Sequence, residues 1–245
     1  MIPKTIHFCW FGRGEKSDLI KKCVESWREH LKDYEIIEWN EDNFDIHCNS
    51  YVEEAYQNRK FAFVADYARL KVMYEYGGIY LDSDVEVLKE FPEEMLQQKA
   101  FSGFESPINV PTGTMASEKG FPLFKEFLDY YEDKHFVNED GTFNDITNVD
   151  IITNELVKRG LKRNNTYQVV DGFALYPKDY FCPLEDGTGK LEKTENTINI
   201  HWFAKSWWDQ NTVKKYKRAK ILFKILGKDT VIKLSEWKNK VFKKK

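Results

Sequence analysis

The stretch Tyr76-Gly77-Gly78-Ile79-Tyr80-Leu81-Asp82-Ser83-Asp84 decides the fold class of this chain. Residues 61–76 place apolar side chains at helical spacing, and the two glycines end that helix, because glycine enters the left-handed C-terminal conformation without steric cost. Ile79-Tyr80-Leu81 is then a short apolar run, read as a buried strand. It delivers Asp82 and Asp84 just beyond its carboxyl end. In α/β proteins with open sheets, ligands bind at the carboxyl ends of strands.

Outward from this centre the same alternation continues. Residues 5–11 read as a first buried strand closed by Gly12-Arg13-Gly14, residues 16–30 as a helix and 34–39 as a second strand. Residues 40–58 read as irregular and polar. Beyond Asp84, strands are expected at 85–88, 100–104, 112–116, 168–176 and 197–202, and helices at 122–132 and 149–159. Strands alternating with helices in the first half predict an α/β protein with a largely parallel sheet. No internal repeat or low-complexity linker interrupts the chain.

At 245 residues, with 42% hydrophobic and 31% charged side chains, the chain is long enough to bury a full core. Its net charge of −3 conceals an asymmetry. Residues 211–245 carry 13 Lys/Arg against Asp229 and Glu236, leaving 24 basic and 38 acidic residues elsewhere. An acidic body with a basic tail predicts that the tail has an anionic partner of its own. Cys9, Cys23, Cys48 and Cys182 show no metal-ligand spacing and read as reduced thiols of a cytosolic protein. No apolar run approaches the ~20 residues that span a bilayer, and the chain opens on a strand rather than a signal peptide.

Two carboxylates at Asp82 and Asp84 can turn toward one point where the chain leaves the sheet. A hard cation such as Mg²⁺ or Mn²⁺ takes one or two such ligands, with waters and substrate phosphates completing its shell. A DxD triplet alone is usually a solvated turn. Haloacid-dehalogenase-like phosphatases also place one after a strand, but there the fifth position is small or β-branched and the strand is normally the first. Here the fifth residue is Glu86, and the strand lies a third of the way along. Asp66 and Arg69, spaced i, i+3, share one face of the preceding helix. Arginine can fork two hydrogen bonds onto a phosphate, and aspartate can accept from sugar hydroxyls.

Taken together, Phe63-Val64-Ala65-Asp66-Tyr67-Ala68-Arg69-Leu70 and the run from Tyr76 to Asp84 resemble the DXD sugar-binding region of glycosyltransferase family 32. The opening Ile2-Pro3-Lys4-Thr5-Ile6-His7-Phe8-Cys9-Trp10-Phe11-Gly12 resembles that family's first strand. The same pattern occurs in the glucosylating domains of clostridial toxins. The resemblance covers roughly the first 90 residues and is looser from about residue 100. It implies a GT-A fold, a Rossmann-like, mostly parallel sheet sandwiched by helices, with a less regular acceptor-binding half. It also implies a retaining transferase that uses a nucleotide sugar, most simply a UDP-sugar, with Mn²⁺ or Mg²⁺. Trp10 would stack on the base, Asp66 and Arg69 would hold sugar hydroxyls and the diphosphate, and Asp82 and Asp84 would hold the metal. A third block, Ile198 to Trp208, is similar to the segment that closes the site in related transferases. By that likeness His201 would offer an imidazole nitrogen to the metal, Lys205 and Ser206 would reach phosphate oxygens, and Trp207 would cover the leaving diphosphate. Asp150 opens a helix where the family sets a Gly-Pro beside the reacting sugar. This chain lacks the Gly-Pro, and an acid is also favoured at a helix start for electrostatic reasons.

The expected organisation is a catalytic domain over 1–210, with 1–105 binding the nucleotide sugar and 106–210 forming the acceptor side and closing segment. A basic, helical, amphipathic appendage follows over 211–245. The expected acceptor is a glycan or lipid-linked glycan in surface polysaccharide synthesis. The expected location is the cytoplasm, with the tail touching the anionic inner face of the membrane; nucleic acid is not an expected partner. A toxin-like enzyme with a protein acceptor and a non-catalytic nucleotide-sugar-binding protein are the alternatives.

Overall fold

The computed structural model describes residues 1–110, 113–205, 214–216, 218 and 221. Strand β1 (Thr5–Cys9), helix α1 (Asp18–His30), strand β2 (Glu35–Trp39), helix α2 (Ser50–Gln57), helix α3 (Phe61–Tyr76) and strand β3 (Gly78–Leu81) form the first half. Strand β4 (Val85–Val87), the single-turn helix α4 (Glu93–Leu96), and strands β5 (Ala100–Gly103) and β6 (Thr114–Ser117) follow. Helices α5 (Pro122–Asp129) and α6 (Asn148–Lys158), the hairpin β7 (Gln168–Val170) and β8 (Phe173–Tyr176), the short helix α7 (Lys178–Phe181) and strand β9 (Asn199–His201) complete it.

The central sheet has seven strands in the order β2-β1-β3-β6-β5-β8-β7, and β4 and β9 pair in a separate two-stranded ribbon. Strands β1, β2, β3, β5 and β8 share one direction, while β6 and β7 oppose it. The sheet is mostly parallel by strand direction. Because β6 wedges between β3 and β5, both of its ladders are antiparallel. Period-2 alternation sorts the core into two layers. Ile6, Phe8, Ile79, Leu81 and Ala116 face Trp27 of α1 and Phe181 of α7. Cys9, Tyr80 and Met115 face Val64 and Ala68 of α3, Phe124 of α5 and Ile152 of α6. With helices on both faces, this is a mixed α/β sandwich, as the alternation of strands and helices implies. Each fully buried aromatic or aliphatic side chain contributes about 1.5–3 kcal/mol relative to exposure.

The joint between α3 and β3 is closely packed. Gly77 and Gly78 sit at φ 69° and 100°. A Cβ on Gly77 would stand 2.6 Å from the Lys119 amide nitrogen, and one on Gly78 would stand 2.6 Å from the Thr5 carbonyl oxygen. Both positions therefore require glycine for space and for conformation.

Beside the joint lies His7, buried on β1. Its Nε2 is 2.9 Å from the Gly77 carbonyl oxygen, and Trp39 Nε1–H donates to its Nδ1 at 3.1 Å. The ring is thus the neutral Nε2–H tautomer. Burial pushes its pKa down from 6.5 to about 4, against the weaker pull of the Gly77 carbonyl. Between those values the unfolded chain binds a proton that the folded chain does not. As pH falls through that window, His7 subtracts stability, about 3 kcal/mol by its lower end. Asp66 acts in the opposite sense, because burial raises its carboxyl from 3.8 to about 6. His7→Gln keeps both hydrogen bonds without titrating. Its stability deficit relative to wild type is expected to shrink between about pH 7 and about pH 4.5 in urea unfolding. A deficit independent of pH would contradict this.

Three expectations change. Residues 40–58 are not wholly irregular, since Asn49 caps α2 by accepting the Val52 N–H at 2.8 Å. The segment 168–176 is two strands, because Asp171 (φ 48°) and Gly172 (φ 84°) make a tight hairpin turn. The strand expected over 85–88 is β4 (Val85–Val87), which leaves the main sheet. All four cysteines are free thiols. No helix among the described residues is long and apolar enough to cross a membrane. Apart from residues 214–216, 218 and 221, the expected appendage over 211–245 lies outside the described residues.

Candidate active site

Asp82 follows β3 directly. Its N–H donates to the Gly113 carbonyl at 2.8 Å, and the Val85 N–H donates to its own carbonyl at 2.9 Å, closing a turn. The chain then enters β4, whose register with β9 pairs Val85 with His201. That pairing brings the imidazole to the two carboxylates across a long sequence separation. His201 Nε2 lies 3.3 Å from Asp84 Oδ1 and 3.9 Å from Asp82 Oδ2. One ligand atom from each of Asp82, Asp84 and His201 lies within 4.8 Å of the others. The Trp202 N–H donates to the Asp84 carbonyl at 3.0 Å, and the Ala204 N–H donates to Asp84 Oδ2 at 2.6 Å. Phe203 stacks on the imidazole with ring centroids 4.1 Å apart.

The groups present fit a divalent cation. Two carboxylates supply hard oxygen ligands and the imidazole one nitrogen. His201 Nδ1 is buried beside the Cys182 thiol and has no oxygen or nitrogen partner. Gly113 makes the approach possible, since a Cβ there would stand 2.9 Å from His201 Nδ1 and 3.3 Å from Asp82 Oδ2. Burial opposes charge on His201, but Asp84 overrides it and holds the imidazole well above its ordinary pKa. Asp84 itself is held below the usual carboxylate range, because His201 and the Ala204 N–H outweigh its burial. For Asp82, burial prevails over the attraction of Arg69 and His201, and its pKa rises.

Arg69 links this cluster to α3. One guanidinium nitrogen lies 3.2 Å from Asp66 Oδ1 and 3.1 Å from Asp82 Oδ1. The guanidinium lies over the Tyr80 ring, 4.8 Å from its centroid, and the Tyr80 hydroxyl donates to Asp82 Oδ1 at 3.2 Å. Burial opposes the charge on Arg69, but Asp82, Tyr80 and Asp66 keep it protonated.

Arg69, Asp82 and Asp84 line a cleft of about 690 Å³, together with Trp10, Phe11, Gly12, Phe61, Ser83, Ala204 and Lys205. Trp10 is fixed by its Nε1–H, which donates to the Gly14 carbonyl at 2.7 Å. Phe61 packs where any side chain on Gly12 would go, 2.3 Å from a Cβ built there. Aromatic rings, cations and carboxylates lining one cleft can take a planar base and a phosphate chain.

The structure brings together Trp10, Arg69, Asp82, Asp84, His201 and Lys205. Lys205 is paired with Asp186 Oδ2 at 3.0 Å. Asp66 lies behind Arg69, off the cleft lining, where its Oδ2 accepts the Asn148 N–H at 3.3 Å. Asp150 does not join them. It is exposed on the first turn of α6, and its carboxylate accepts from the hydroxyl of Thr147, the capping residue, at 2.9 Å. The residue that α6 sends toward the site is Asn148, whose Nδ2 donates to the Tyr131 hydroxyl at 2.7 Å. Ser206 and Trp207 lie outside the described residues. Sequence reasoning missed Arg59 and Phe61 in the cleft, Gly113 beneath the ligands, and Asn148. A helix-start signal marked the right turn of α6 and the wrong side chain.

Comparison with known proteins follows the same outline. A family model described as the glycosyltransferase sugar-binding region containing DXD motif matches residues 17–102. That span includes Asp66, Arg69, Asp82 and Asp84 but neither Trp10 nor His201. Inositol phosphoceramide mannosyltransferase 3 of Schizosaccharomyces pombe is 27% identical over 134 residues, covering 52% of this chain and 36% of that protein. The chain thus spans about a third of the length of this curated relative. Among solved structures, the galactosyltransferase LgtC with donor and acceptor sugar analogs is 12% identical, covering 89% of this chain and 94% of its own, at a TM-score of 0.49. The glycosyltransferase GlyE of Streptococcus pneumoniae is 13% identical, covering 98% of this chain and 64% of its own, also at 0.49. The PaToxG glycosyltransferase is 20% identical, covering 64% and 69%, at 0.44. The matched DXD region and the Asp82–Asp84–His201 cluster together support a metal-dependent glycosyltransferase activity.

Proposed function

We propose that this chain is a retaining glycosyltransferase that moves a hexose or N-acetylhexosamine from a UDP-sugar to a glycan or lipid-linked glycan. The observation that carries the reading is one cleft lined by Trp10, Arg69, Asp82 and Asp84, with His201 clustered against the two aspartates. When bound there, a divalent cation acts as a Lewis acid toward the leaving diphosphate, a contribution of several kcal/mol. The mixed oxygen and nitrogen ligand set favours Mn²⁺ over the harder Mg²⁺.

The chain's own groups divide the remaining work. Trp10 offers a ring for the base, and such stacking is typically worth ~1–3 kcal/mol. Arg69, pre-set between Asp66 and Asp82, presents fixed positive charge at the point where negative charge builds on the diphosphate. Lys205 lines the same cleft and can exchange Asp186 for a phosphate oxygen. Asp66 acts on this reading as the anchor of Arg69 rather than as a direct sugar ligand. The family resemblance supports retention, with the acceptor hydroxyl attacking the face that the diphosphate leaves.

A lipid-borne acceptor accords with the likeness to the fission-yeast inositol phosphoceramide mannosyltransferase. The basic composition of residues 211–245 supports peripheral contact with an anionic membrane on the cytoplasmic side. A thermal-shift panel of UDP-glucose, UDP-galactose, UDP-N-acetylglucosamine and GDP-mannose, each with Mn²⁺, tests the reading. One nucleotide sugar is expected to raise the unfolding temperature well beyond Mn²⁺ alone, since a ligand at 100 times its Kd adds about 2.7 kcal/mol. A flat response to every nucleotide sugar would refute it.

A further inference from the structure

Arg59 also lines the cleft, at the joint between α2 and α3. Helix α2 ends at Gln57. Its last turn is closed by the Arg59 N–H, which donates to the Tyr56 carbonyl at 2.9 Å, and by the Lys60 N–H, which donates to the Ala55 carbonyl at 2.8 Å. That pair of bonds sets Arg59 in the left-handed conformation, at φ 56°. Glycine fills such a position without steric cost, and an arginine fills it under strain. Local folding therefore favours glycine at 59, and the side chain that stands there instead lines the cleft. The residues bracketing this turn both touch the Gly12 loop. The Tyr56 hydroxyl donates to Glu41 Oε1 at 2.9 Å, and the same oxygen accepts the Gly12 N–H at 2.6 Å. Phe61 fills the space beside Gly12 and packs on Tyr56, with ring centroids 5.5 Å apart. Arg59 is thus held beside the loop that carries Trp10.

Helix α3 measures how far this is from the metal ligands. Phe61, Ala62, Ala65 and Arg69 line the cleft from that helix, and at about 1.5 Å per residue Phe61 stands about 12 Å along the axis from Arg69. Arg59 precedes Phe61 and lies further still. Among the described residues its guanidinium has no hydrogen-bond or ion-pair partner, whereas Arg13 of the Gly12 loop pairs with Asp42 at 2.5 Å. The anionic part of a nucleotide sugar is its diphosphate, which on the reading above lies at Arg69. What remains for Arg59, beside Trp10, is a neutral acceptor on the base.

We propose that Arg59 is a specificity-determining residue that reads the nucleobase, donating to the carbonyl oxygen that uracil carries at C4 and guanine at C6. The proposal rests on the cleft being a nucleotide-sugar site. A guanidinium has donors and no acceptor. It therefore favours a keto base and disfavours cytosine or adenine, which present an amino group at that position. The test is calorimetry with Mn²⁺ on full-length wild type, Arg59→Ala and Arg59→Gly, using UDP against CDP and GDP against ADP. In the tighter-binding pair, wild type is expected to prefer the keto member by about tenfold or more. Both variants are expected to lose on the order of tenfold in affinity for that member, the effect of one hydrogen bond from a charged group, and none for the amino member. Arg59→Gly suits the left-handed turn, so its unfolding temperature is expected at or above that of wild type, which separates lost base reading from a damaged fold. Equal wild-type affinity for the two members, or an unchanged ratio in both variants, would overturn the proposal. A parallel fall for both members would also overturn it, since that is the signature of general charge attraction. Each of these results leaves nucleotide binding intact and the functional reading standing. A wild-type protein that binds none of the four nucleotides with Mn²⁺ refutes that reading itself, and the Arg59 assignment with it.

Discussion

Asp84→Ala is expected to lose sugar transfer by roughly a thousandfold or more while the protein remains folded. Asp84 contributes Oδ1 to the cluster with Asp82 and His201, and only its Oδ2 is tied to the backbone, through the Ala204 N–H. Removing it takes away one of two carboxylates from a site whose cation would contribute several kcal/mol to leaving-group stabilisation, and each ~1.4 kcal/mol is tenfold in rate. The structural cost is smaller: the Ala204 N–H bond, about 1 kcal/mol, and the pairing with His201, which can release its proton when the carboxylate is gone. Chelation with EDTA should reproduce the loss in wild type and add nothing in Asp84→Ala. Full turnover after exhaustive chelation would contradict metal dependence.

Arg69→Lys should be damaging although the charge is kept. The guanidinium lies within ion-pair distance of Asp66 and Asp82 and over the Tyr80 ring. An ammonium is a compact point charge of shorter reach, without the planar guanidinium that lies over Tyr80 while it reaches both carboxylates. Asp66 is buried, and breaking such a pair from one side costs about 3–5 kcal/mol, since a buried charge loses its partner. A large fall in unfolding free energy is therefore expected. For catalysis, loss of a preorganised charge beside the diphosphate predicts a fall in kcat/KM on the order of a hundredfold. Asp66→Asn added to Arg69→Lys should recover part of the stability and none of the activity. Normal kinetics in Arg69→Lys would place the residue outside the site.

How much of this was legible in the sequence depends on how local each feature is. Helix α3, the glycine joint, β3 and the DxD turn are consecutive, so periodicity and two glycines were enough to read them. Trp10 and Arg69 could be given roles through the family resemblance, and both line the cleft. His201 is far from Asp84 in sequence, and only the β4–β9 register explains why they meet. Sequence patterns carry no such register. Gly113 was unreadable for the same reason. Its importance depends on β6 entering antiparallel between β3 and β5, a strand order that local patterning does not encode. Asp150 shows the reverse error, because an acid in a first helical turn is explained by capping alone. The hairpin turn at Asp171-Gly172 was present as a dipeptide signal and was passed over because the flanking apolar run looked continuous.

The most direct test of the central claim is Mn²⁺ binding followed by electron paramagnetic resonance, with and without UDP, on wild type and Asp84→Ala. The account predicts that Mn²⁺ binds wild type, that UDP tightens this binding by on the order of tenfold through a shared metal–diphosphate site, and that Asp84→Ala loses the effect. Mn²⁺ binding that ignores UDP, or is unchanged in Asp84→Ala, would contradict it.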